Sequence, residues 1–306
     1  MASSTKYYAH GKLLITGEYL VLDGAMALAI PTKLGQSLEV NTFNIKNQLE
    51  WKSYDINQQI WFHCLLTPTF EIKETNDLKK SNRLISLLKE TVKLNPEFSN
   101  KLFGSSVITQ LDFDRLWGLG SSSTLIHLLS QWANINPFLL LKNSFKGSGY
   151  DIACANAKGP ISYQRKENLP QISRVTLDIP FKENCHFIYL GNKQFSDKEV
   201  TKYSELVFDR NKIKEEITSI SLQLIEAKTE SHFCELLELH ENLLRKVLGY
   251  PTVKERLFSN IKGTFKSLGA WGGDFILFIG APPELAKIKK LGYSTILKWD
   301  ELLLIN

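Results

Sequence analysis

A segment rich in glycine and serine, Gly118–Ser123, precedes the apolar residues Leu125, Ile126, Leu128 and Leu129. These apolar residues have helical spacing, so the segment is predicted to be a loop that opens a helix. Free backbone N–H groups at a helix N-terminus bind anions such as phosphate, and serine hydroxyls add donors or an oxygen ligand for Mg²⁺. A capped helix after a tight turn explains the same residues without any ligand.

Charged side chains stand beside glycines in two further segments. The first, His10–Gly24, contains Lys12 and Glu18 and has the pattern of a strand, a glycine-bearing turn and an Asp-Gly turn. In the second, Lys146–Ala155, a glycine loop leads to Asp151 at the start of a helix of small residues, where a carboxylate can accept a hydroxyl proton. Structural alternatives are a lysine at a sheet edge, a solvated glutamate, and an aspartate that complements the helix dipole.

A fourth segment, Leu268–Asp274, contains three glycines and precedes the apolar strand pattern Phe275–Ile279. Glycines at such a place permit close approach of the backbone to a ligand, although a simple hairpin turn has the same composition. Two common nucleotide-binding patterns are absent from the sequence: there is no G-x-x-x-x-G-K-[ST], and serine stands where the third glycine of G-x-G-x-x-G would fall.

In this order, the four segments resemble the motifs of the GHMP kinases, the family of galactokinase, homoserine kinase, mevalonate kinase and phosphomevalonate kinase. The family's P-G-K-x-x-L-x-G-E-[HY]-x-V-x-x-G is similar to His10–Gly24, and its phosphate loop G-L-G-S-S matches Gly118–Ser122. Its S-G-x-D matches Ser148–Asp151, and its G-A-G-G-G resembles Gly269–Gly273. The Gly-Glu-Tyr and Gly-Gly-Asp triplets are more similar to the phosphomevalonate kinase branch than to galactokinase.

The resemblance implies an ATP-dependent kinase in which Asp151 and Lys12 are catalytic. Asp151 would accept or orient the acceptor's hydroxyl proton, and Lys12, beside it, would neutralise charge on the transferred phosphoryl group. The ATP phosphates would bind the loop, with the hydroxyl of Ser122 closest to Mg²⁺. That loop consists of Gly118, Leu119, Gly120, Ser121, Ser122 and Ser123. The residues that would shape the acceptor pocket are Glu18, Tyr19, Ser148, Gly149, Gly269, Ala270, Gly272 and Gly273.

The fold class expected from the pattern of strands and helices is α+β. The resemblance implies two lobes: residues 1–175, similar to ribosomal protein S5 domain 2 and carrying the ATP loop and catalytic residues, and residues 176–306, ferredoxin-like and closing the acceptor site. Periodicity predicts helices at 81–93, 121–132, 151–157, 212–227, 233–248 and 284–291, and one that runs from Pro251 toward Gly269. Strands are predicted at 106–109, 161–163, 186–190, 275–279 and 294–297.

Composition argues for a compact enzyme and against several other classes. With 43% hydrophobic residues and a net charge of +5 over 306 residues, the chain can build a large core and has no strong signature of nucleic-acid binding. Four dispersed cysteines indicate neither a zinc site nor a disulfide framework. The sequence has neither a signal-peptide pattern nor an apolar run long enough to span a bilayer. We expect a cytoplasmic monomer or homodimer that binds a small-molecule substrate and no membrane.

The expected acceptor is 5-phosphomevalonate or mevalonate, in isoprenoid precursor synthesis. The alternatives are another GHMP kinase with a sugar or amino-alcohol acceptor, a catalytically inactive GHMP scaffold that only binds a ligand, and an RNA-binding S5-like module. Three departures from the family pattern occur, of which Trp271 and the missing carboxylate favour the scaffold alternative. Trp271 replaces a glycine of the third motif, His10 replaces a proline of the first, and no carboxylate for Mg²⁺ occurs in Asn136–Asn143.

Overall fold

The computed structural model describes residues 4–42, 47–145, 147–167, 169–191, 196–269, 271 and 274–305, with the backbone alone at 196–198. The strands are β1 (Ser4–Leu14), β2 (Met26–Thr42), β3 (Leu49–Tyr54), β4 (Ile60–Leu66), β5 (Ile72–Thr75), β6 (Ser105–Leu111), β7 (Ile161–Gln164), β8 (Gln171–Arg174), β9 (Cys185–Tyr189), β10 (Thr264–Ser267), β11 (Phe275–Ile279) and β12 (Ile296–Lys298). The helices are α1 (Leu78–Leu94), α2 (Ser99–Leu102), α3 (Ser121–Ala133), α4 (Pro137–Ser144), α5 (Tyr150–Ala155), α6 (Ser196–Glu205), α7 (Arg210–Glu226), α8 (Glu230–Leu248), α9 (Val253–Leu257), α10 (Pro282–Lys290) and α11 (Trp299–Leu302). The predicted α+β class is confirmed.

The chain divides into two compact units, each made of separate stretches of sequence. The first unit consists of Met1–Gly11, Leu34–Arg115 and Leu119–Asn156. The second unit consists of Lys12–Lys33, Leu116–Gly118 and Ala157–Asn306. The long strand β2 contributes its N-terminal half to the second unit and its C-terminal half to the first. The lobes predicted at 1–175 and 176–306 stay a prediction.

In the first unit, strands pair in the order β5-β4-β3-β6-β2. β3 and β6 are parallel, with Leu49 opposite Ser105, whereas the other neighbours are antiparallel. Side chains from the sheet and from α1, α3 and α4 form one apolar cluster that includes Trp51, Phe98 and Trp132. Burial of large apolar side chains in one cluster is the main favourable contribution to the folding of this unit.

Two helices of the first unit show how local sequence sets their bounds. Helix α1 begins after Asp77, whose carboxylate accepts the backbone N–H of Lys80 at 3.0 Å and so caps the helix. Leu84 and Leu88 recur at helical spacing and are buried on one face. Helix α3 packs against α5, which brings the N-terminal ends of two helices with predicted functional residues into one unit.

In the second unit, an antiparallel sheet has the order β10-β11-β9-β12. All five residues of β11 are buried, as expected for an unbroken apolar run. The N-terminal half of β2 pairs with β7, which pairs with β8. Phe265 of β10 stacks on Phe258 with ring centroids 4.7 Å apart, and helices α7 and α8 pack against each other.

The prediction of a helix from Pro251 toward Gly269 is wrong. Only α9, Val253–Leu257, is helical, and Thr264–Ser267 forms β10. The physical reason lies at Gly263, which has a φ of +129° and no room for a Cβ, since that atom would lie 2.7 Å from the carbonyl oxygen of Ile279. A backbone in this region cannot continue a helix, so the following apolar residues pair with β11 instead.

Helices α2, α4, α6 and α11 were not predicted from the periodicity. At α4, Pro137 occupies the first turn and the side chain of Asn136 caps it by accepting the N–H of Phe138 at 2.9 Å. The other predicted helices are confirmed with shifted ends. Within the described ranges, no helix is both long enough and apolar enough to cross a membrane.

Candidate active site

The predicted phosphate loop leads into the N-terminus of α3. Gly120 has a left-handed φ of 92° and precedes the first helical residue, Ser121. Among the described residues, no side chain caps this end of the helix. Ser122 is exposed, whereas Ser123 is buried. An uncapped helix N-terminus with an exposed hydroxyl can bind an anion through backbone N–H groups and can offer one oxygen to a cation.

The predicted base, Asp151, receives a hydrogen bond from the phosphate loop. The hydroxyl of Ser123 donates to Oδ2 of Asp151 in a short contact. Asp151 lies in the first turn of α5, after Gly149 with a left-handed φ of 92°, and its Oδ1 accepts the backbone N–H of Ile152 at 3.0 Å. One residue predicted to bind ATP and one predicted to be catalytic are therefore in direct contact, within the first unit.

Lys12 and Gly118 meet in the second unit. The ammonium group of Lys12 donates to the carbonyl oxygen of Gly118 at 2.9 Å. Gly118 has a φ of 67°, and a Cβ on it would overlap the carboxylate of Asp274. A glycine is therefore needed at the first position of the predicted phosphate loop for two reasons: the left-handed backbone and the side chain packed against it.

The turn between β1 and β2 is held by close contacts. A Cβ on Gly17 would lie 2.6 Å from the Cβ of Ala27, so this position has no room for a larger residue. Tyr19 adopts a left-handed φ of 62°, which is unusual for a residue with a side chain. Its ring stacks on that of Tyr203 at 5.3 Å, and its hydroxyl accepts the backbone N–H of Trp271 at 3.0 Å. Burial raises the pKa of Tyr19 to about 12, so the hydroxyl stays protonated.

Glu18 belongs to a buried cluster of charged side chains. Its Oε1 lies 2.5 Å from the ammonium group of Lys266, and Oε1 of Glu241 lies 3.3 Å from the same group. Nε2 of His240 accepts the backbone N–H of Gly17 at 3.0 Å and lies 3.2 Å from Oε2 of Glu18. All four side chains are at most 4% exposed. The cluster therefore ties the turn that carries Glu18 to α8 and β10.

The pKa values in this cluster reflect removal from water. Burial raises the pKa of Glu18 to about 7, although the positive charge of Lys266 opposes the shift. Burial also raises the pKa of Glu241 and lowers that of His240 well below its ordinary value. A histidine that accepts an N–H at Nε2 carries its proton on Nδ1, so a neutral imidazole agrees with the hydrogen bond. The predicted contact of Glu18 with an acceptor stays a prediction.

Sequence reasoning missed Lys266, His240 and Glu241. A signal for two of them was present, because His240 and Glu241 continue the buried face of α8 set by Phe233, Leu237 and Leu244. Polar residues at core positions of an amphipathic helix need partners. Their partners come from distant parts of the sequence, which periodicity alone does not identify.

The remaining predicted residues are distributed as follows. Ser148 and Gly149 lie before α5 in the first unit, and Gly269 follows β10 in the second with a φ of 73°. Ala270, Gly272 and Gly273 lie outside the described residues. Among the described residues, no group of three or more histidine, cysteine, aspartate or glutamate side chains could hold a metal ion. Ser122 as a Mg²⁺ ligand therefore stays a prediction.

Solved structures share this fold over nearly the whole chain. The Methanococcus jannaschii mevalonate kinase matches with a TM-score of 0.71 at 19% identity, over 99% of both chains. The Streptococcus pneumoniae phosphomevalonate kinase in complex with phosphomevalonate and AMPPNP matches with a TM-score of 0.70 at 19% identity, over 97% of this chain and 99% of that chain. The Lactococcus lactis galactokinase complexed with galactose gives 0.62 at 12% identity, over 97% and 93%.

At the level of sequence, no protein-family model and no curated protein matches the chain. Sequence identities below 20% establish the shared fold but do not identify the acceptor. The fold predicted from the four motifs is nevertheless confirmed: the chain has the GHMP kinase fold, over its full length.

Proposed function

We propose that the chain is an ATP-dependent small-molecule kinase that phosphorylates mevalonate or 5-phosphomevalonate. The observation that carries the proposal is the hydrogen bond from Ser123 to Asp151, which joins the predicted phosphate loop to the carboxylate proposed as the base. The shared fold with mevalonate and phosphomevalonate kinases supports the acceptor class. The proposal assigns the chain to the synthesis of isoprenoid precursors.

The phosphates of ATP would be held by backbone N–H groups of residues 118–123, at the uncapped N-terminus of α3. The exposed hydroxyl of Ser122 would offer one oxygen ligand to Mg²⁺, which would neutralise charge on the phosphates. Phosphoryl transfer depends mainly on alignment and electrostatics, so the proposal needs only a few positioned groups.

Asp151 is proposed to accept the proton of the acceptor's hydroxyl group. With mevalonate, the hydroxyl oxygen forms a bond to the γ-phosphorus as that proton leaves, and the bond from this phosphorus to the bridging oxygen of ADP breaks. With 5-phosphomevalonate, an oxygen of its phosphate group would form that bond instead, and Asp151 would accept the remaining proton where this phosphate carries one. The Ser123 hydroxyl would fix the carboxylate's orientation through Oδ2. The ammonium group of Lys12 would neutralise negative charge on the transferred group.

The test is ADP release by the purified chain with Mg-ATP, offered mevalonate, 5-phosphomevalonate, homoserine and galactose in parallel. We expect turnover that depends on one of the two mevalonates. Turnover with homoserine or galactose alone would show that the chain is a kinase with a different acceptor from the one proposed.

A second candidate is a scaffold that binds nucleotide without turnover. It is favoured by the buried indole of Trp271, where the family motif has glycine, and by the lack of a metal-holding acidic cluster among the described residues. Nucleotide binding with no ADP release for any acceptor would support this candidate against the kinase.

A further inference from the structure

A cavity of about 400 Å³ lies within the second unit, beside Tyr19 and Trp271. Its walls include the aromatic rings of Tyr19, Tyr203, Tyr250 and Trp271 and the cationic side chain of Arg256. The walls also include Leu206, Leu248 and the ion pair of Lys202 with Glu199. This volume is in the range of sites that enclose small molecules. Neither Arg256 nor Tyr250 belongs to any motif recognised from the sequence.

Two buried donors of this cavity's lining lack an acceptor. Nε of Arg256 and Nε1 of Trp271 are both buried, and neither has a hydrogen-bond partner among the described residues. Both groups can only donate. A buried donor left without an acceptor costs free energy, so a ligand whose acceptor atoms reach these two groups would relieve that cost.

The charges around the cavity leave Arg256 unbalanced. Lys202 is paired with Glu199 at 2.7 Å, and Arg210, behind Tyr203, is paired with Asp23 at 2.8 Å. By contrast, no carboxylate of the described residues lies within ion-pair distance of Arg256, whose guanidinium stands 5.2 Å from the ring centroid of Tyr250. An arginine that lies over an aromatic ring and has an unsatisfied Nε–H group is suited to a carboxylate or phosphate.

We propose that this cavity binds the anionic end of the phosphoryl acceptor, a carboxylate or phosphate group, through Arg256 and the indole N–H of Trp271. This rests on the proposed function, because Tyr19 and the segment that contains Trp271 are the parts predicted to shape the acceptor pocket. The rings of Tyr19 and Tyr203 offer an apolar wall to the carbon skeleton of such an acceptor. An uncharged sugar would leave the charge of Arg256 uncompensated, so the cavity selects for anionic acceptors.

The experiment is a calorimetric titration of the full chain with mevalonate, 5-phosphomevalonate and the neutral mevalonolactone, which lacks the carboxylate. We expect at least one of the two anions to bind and the lactone to bind at least about 10-fold more weakly, the scale of one lost charge-assisted hydrogen bond. Tighter binding of 5-phosphomevalonate than of mevalonate would indicate that Arg256 binds the phosphate group. Equal affinities would indicate that Arg256 binds the carboxylate, which both anions contain.

The variant Arg256→Met should weaken binding of the anion about 10-fold or more and leave the weak binding of the lactone unchanged. The matched control is Arg245→Met, because Arg245 is half exposed and pairs with Glu255 at 3.2 Å away from the cavity lining; it should bind the anion like the unmodified chain. If Arg256→Met fails to fold, Arg256→Lys keeps the charge but removes the Nε donor. Trp271→Phe keeps an aromatic wall but removes the indole N–H. Each of these two should weaken binding several-fold.

Titration with the ATP analogue AMPPNP separates the two proposals. If the chain binds the anion through Arg256 but does not bind AMPPNP, the proposed kinase activity is contradicted and the proposed anion site is supported. Binding of AMPPNP with no binding of either anion would refute the anion site. Equal affinities of Arg256→Met and the unmodified chain for the anion would refute it as well, as would a lactone that binds as tightly as mevalonate.

Discussion

Asp151 and Glu18, the two carboxylates singled out in the sequence, lie in opposite environments. Asp151 is partly exposed, and its carboxylate accepts hydrogen bonds from the hydroxyl of Ser123 and the backbone N–H of Ile152. Glu18 is about 1% exposed and is bonded to a buried lysine. A carboxylate that exchanges protons with a substrate must be reached by it, whereas one in a buried ion cluster fixes the backbone around it. We therefore expect Asp151 to carry out the proposed chemistry and Glu18 to support the fold.

The largest effect on stability is expected from a change of Lys266. The change Lys266→Met leaves the carboxylates of Glu18 and Glu241 buried without their cation. We expect the free energy of unfolding to fall by about 3–5 kcal/mol, the usual cost of breaking a buried ion pair from one side. Urea denaturation followed by circular dichroism measures it. The control Lys262→Met removes an exposed lysine nearby and should change stability by less than about 0.5 kcal/mol. Equal, small effects of both changes would show that the cluster does not support the fold.

The opposite pattern is expected at Asp151. Asp151→Asn keeps the size of the side chain and one carbonyl oxygen but removes the base, so turnover should fall by about 100-fold or more while the free energy of unfolding changes little. ADP release and urea denaturation are measured on the same preparation. Asp178→Asn, at an exposed aspartate 3.9 Å from Lys228, is the matched control and should leave turnover unchanged. Normal turnover of a folded Asp151→Asn variant would remove Asp151 from the mechanism.

The difference between the regions also explains what the sequence could predict. Local spacing and turn chemistry predict the N-terminus of α3, the glycines at 118 and 120 and the position of Asp151. Their proposed roles come from the family resemblance. The Lys266 cluster joins residues 18, 240, 241 and 266, and no local pattern pairs residues so far apart. The wrong prediction of a helix beyond Pro251 has the same cause. The apolar residues there are compatible with a helix, but the backbone at Gly263 and the pairing of β10 with β11, which lies beyond the predicted helix, favour a strand.

The dependence of stability on pH sharpens the assignment of Glu18. Burial raises its pKa from the ordinary 4.5 to about 7, so the folded state binds more protons than the unfolded state between these values. The free energy of unfolding should therefore contain a contribution from Glu18 that decreases as pH rises from about 4.5 to about 7 and is constant above. Glu18→Gln cannot titrate and should lack this decrease.

Urea denaturation at several pH values from 4.5 to 8 compares the unmodified chain with Glu18→Gln. The exposed Glu235→Gln serves as control and should follow the unmodified chain. A constant difference between Glu18→Gln and the unmodified chain across this range would contradict the protonation of Glu18 on folding.

The smallest expected effect separates a positioning role from a binding role for Ser123. If its hydroxyl acts by orienting Asp151, Ser123→Ala removes one hydrogen bond of about 1 kcal/mol and should lower kcat about 5-fold, with the KM for ATP unchanged. In the Asp151→Asn background the same change should then have no further effect, because the group that it orients is already inactive. A loss of the same size in both backgrounds, or a raised KM for ATP, would show that Ser123 acts on the nucleotide and that its contact with Asp151 is incidental to the reaction.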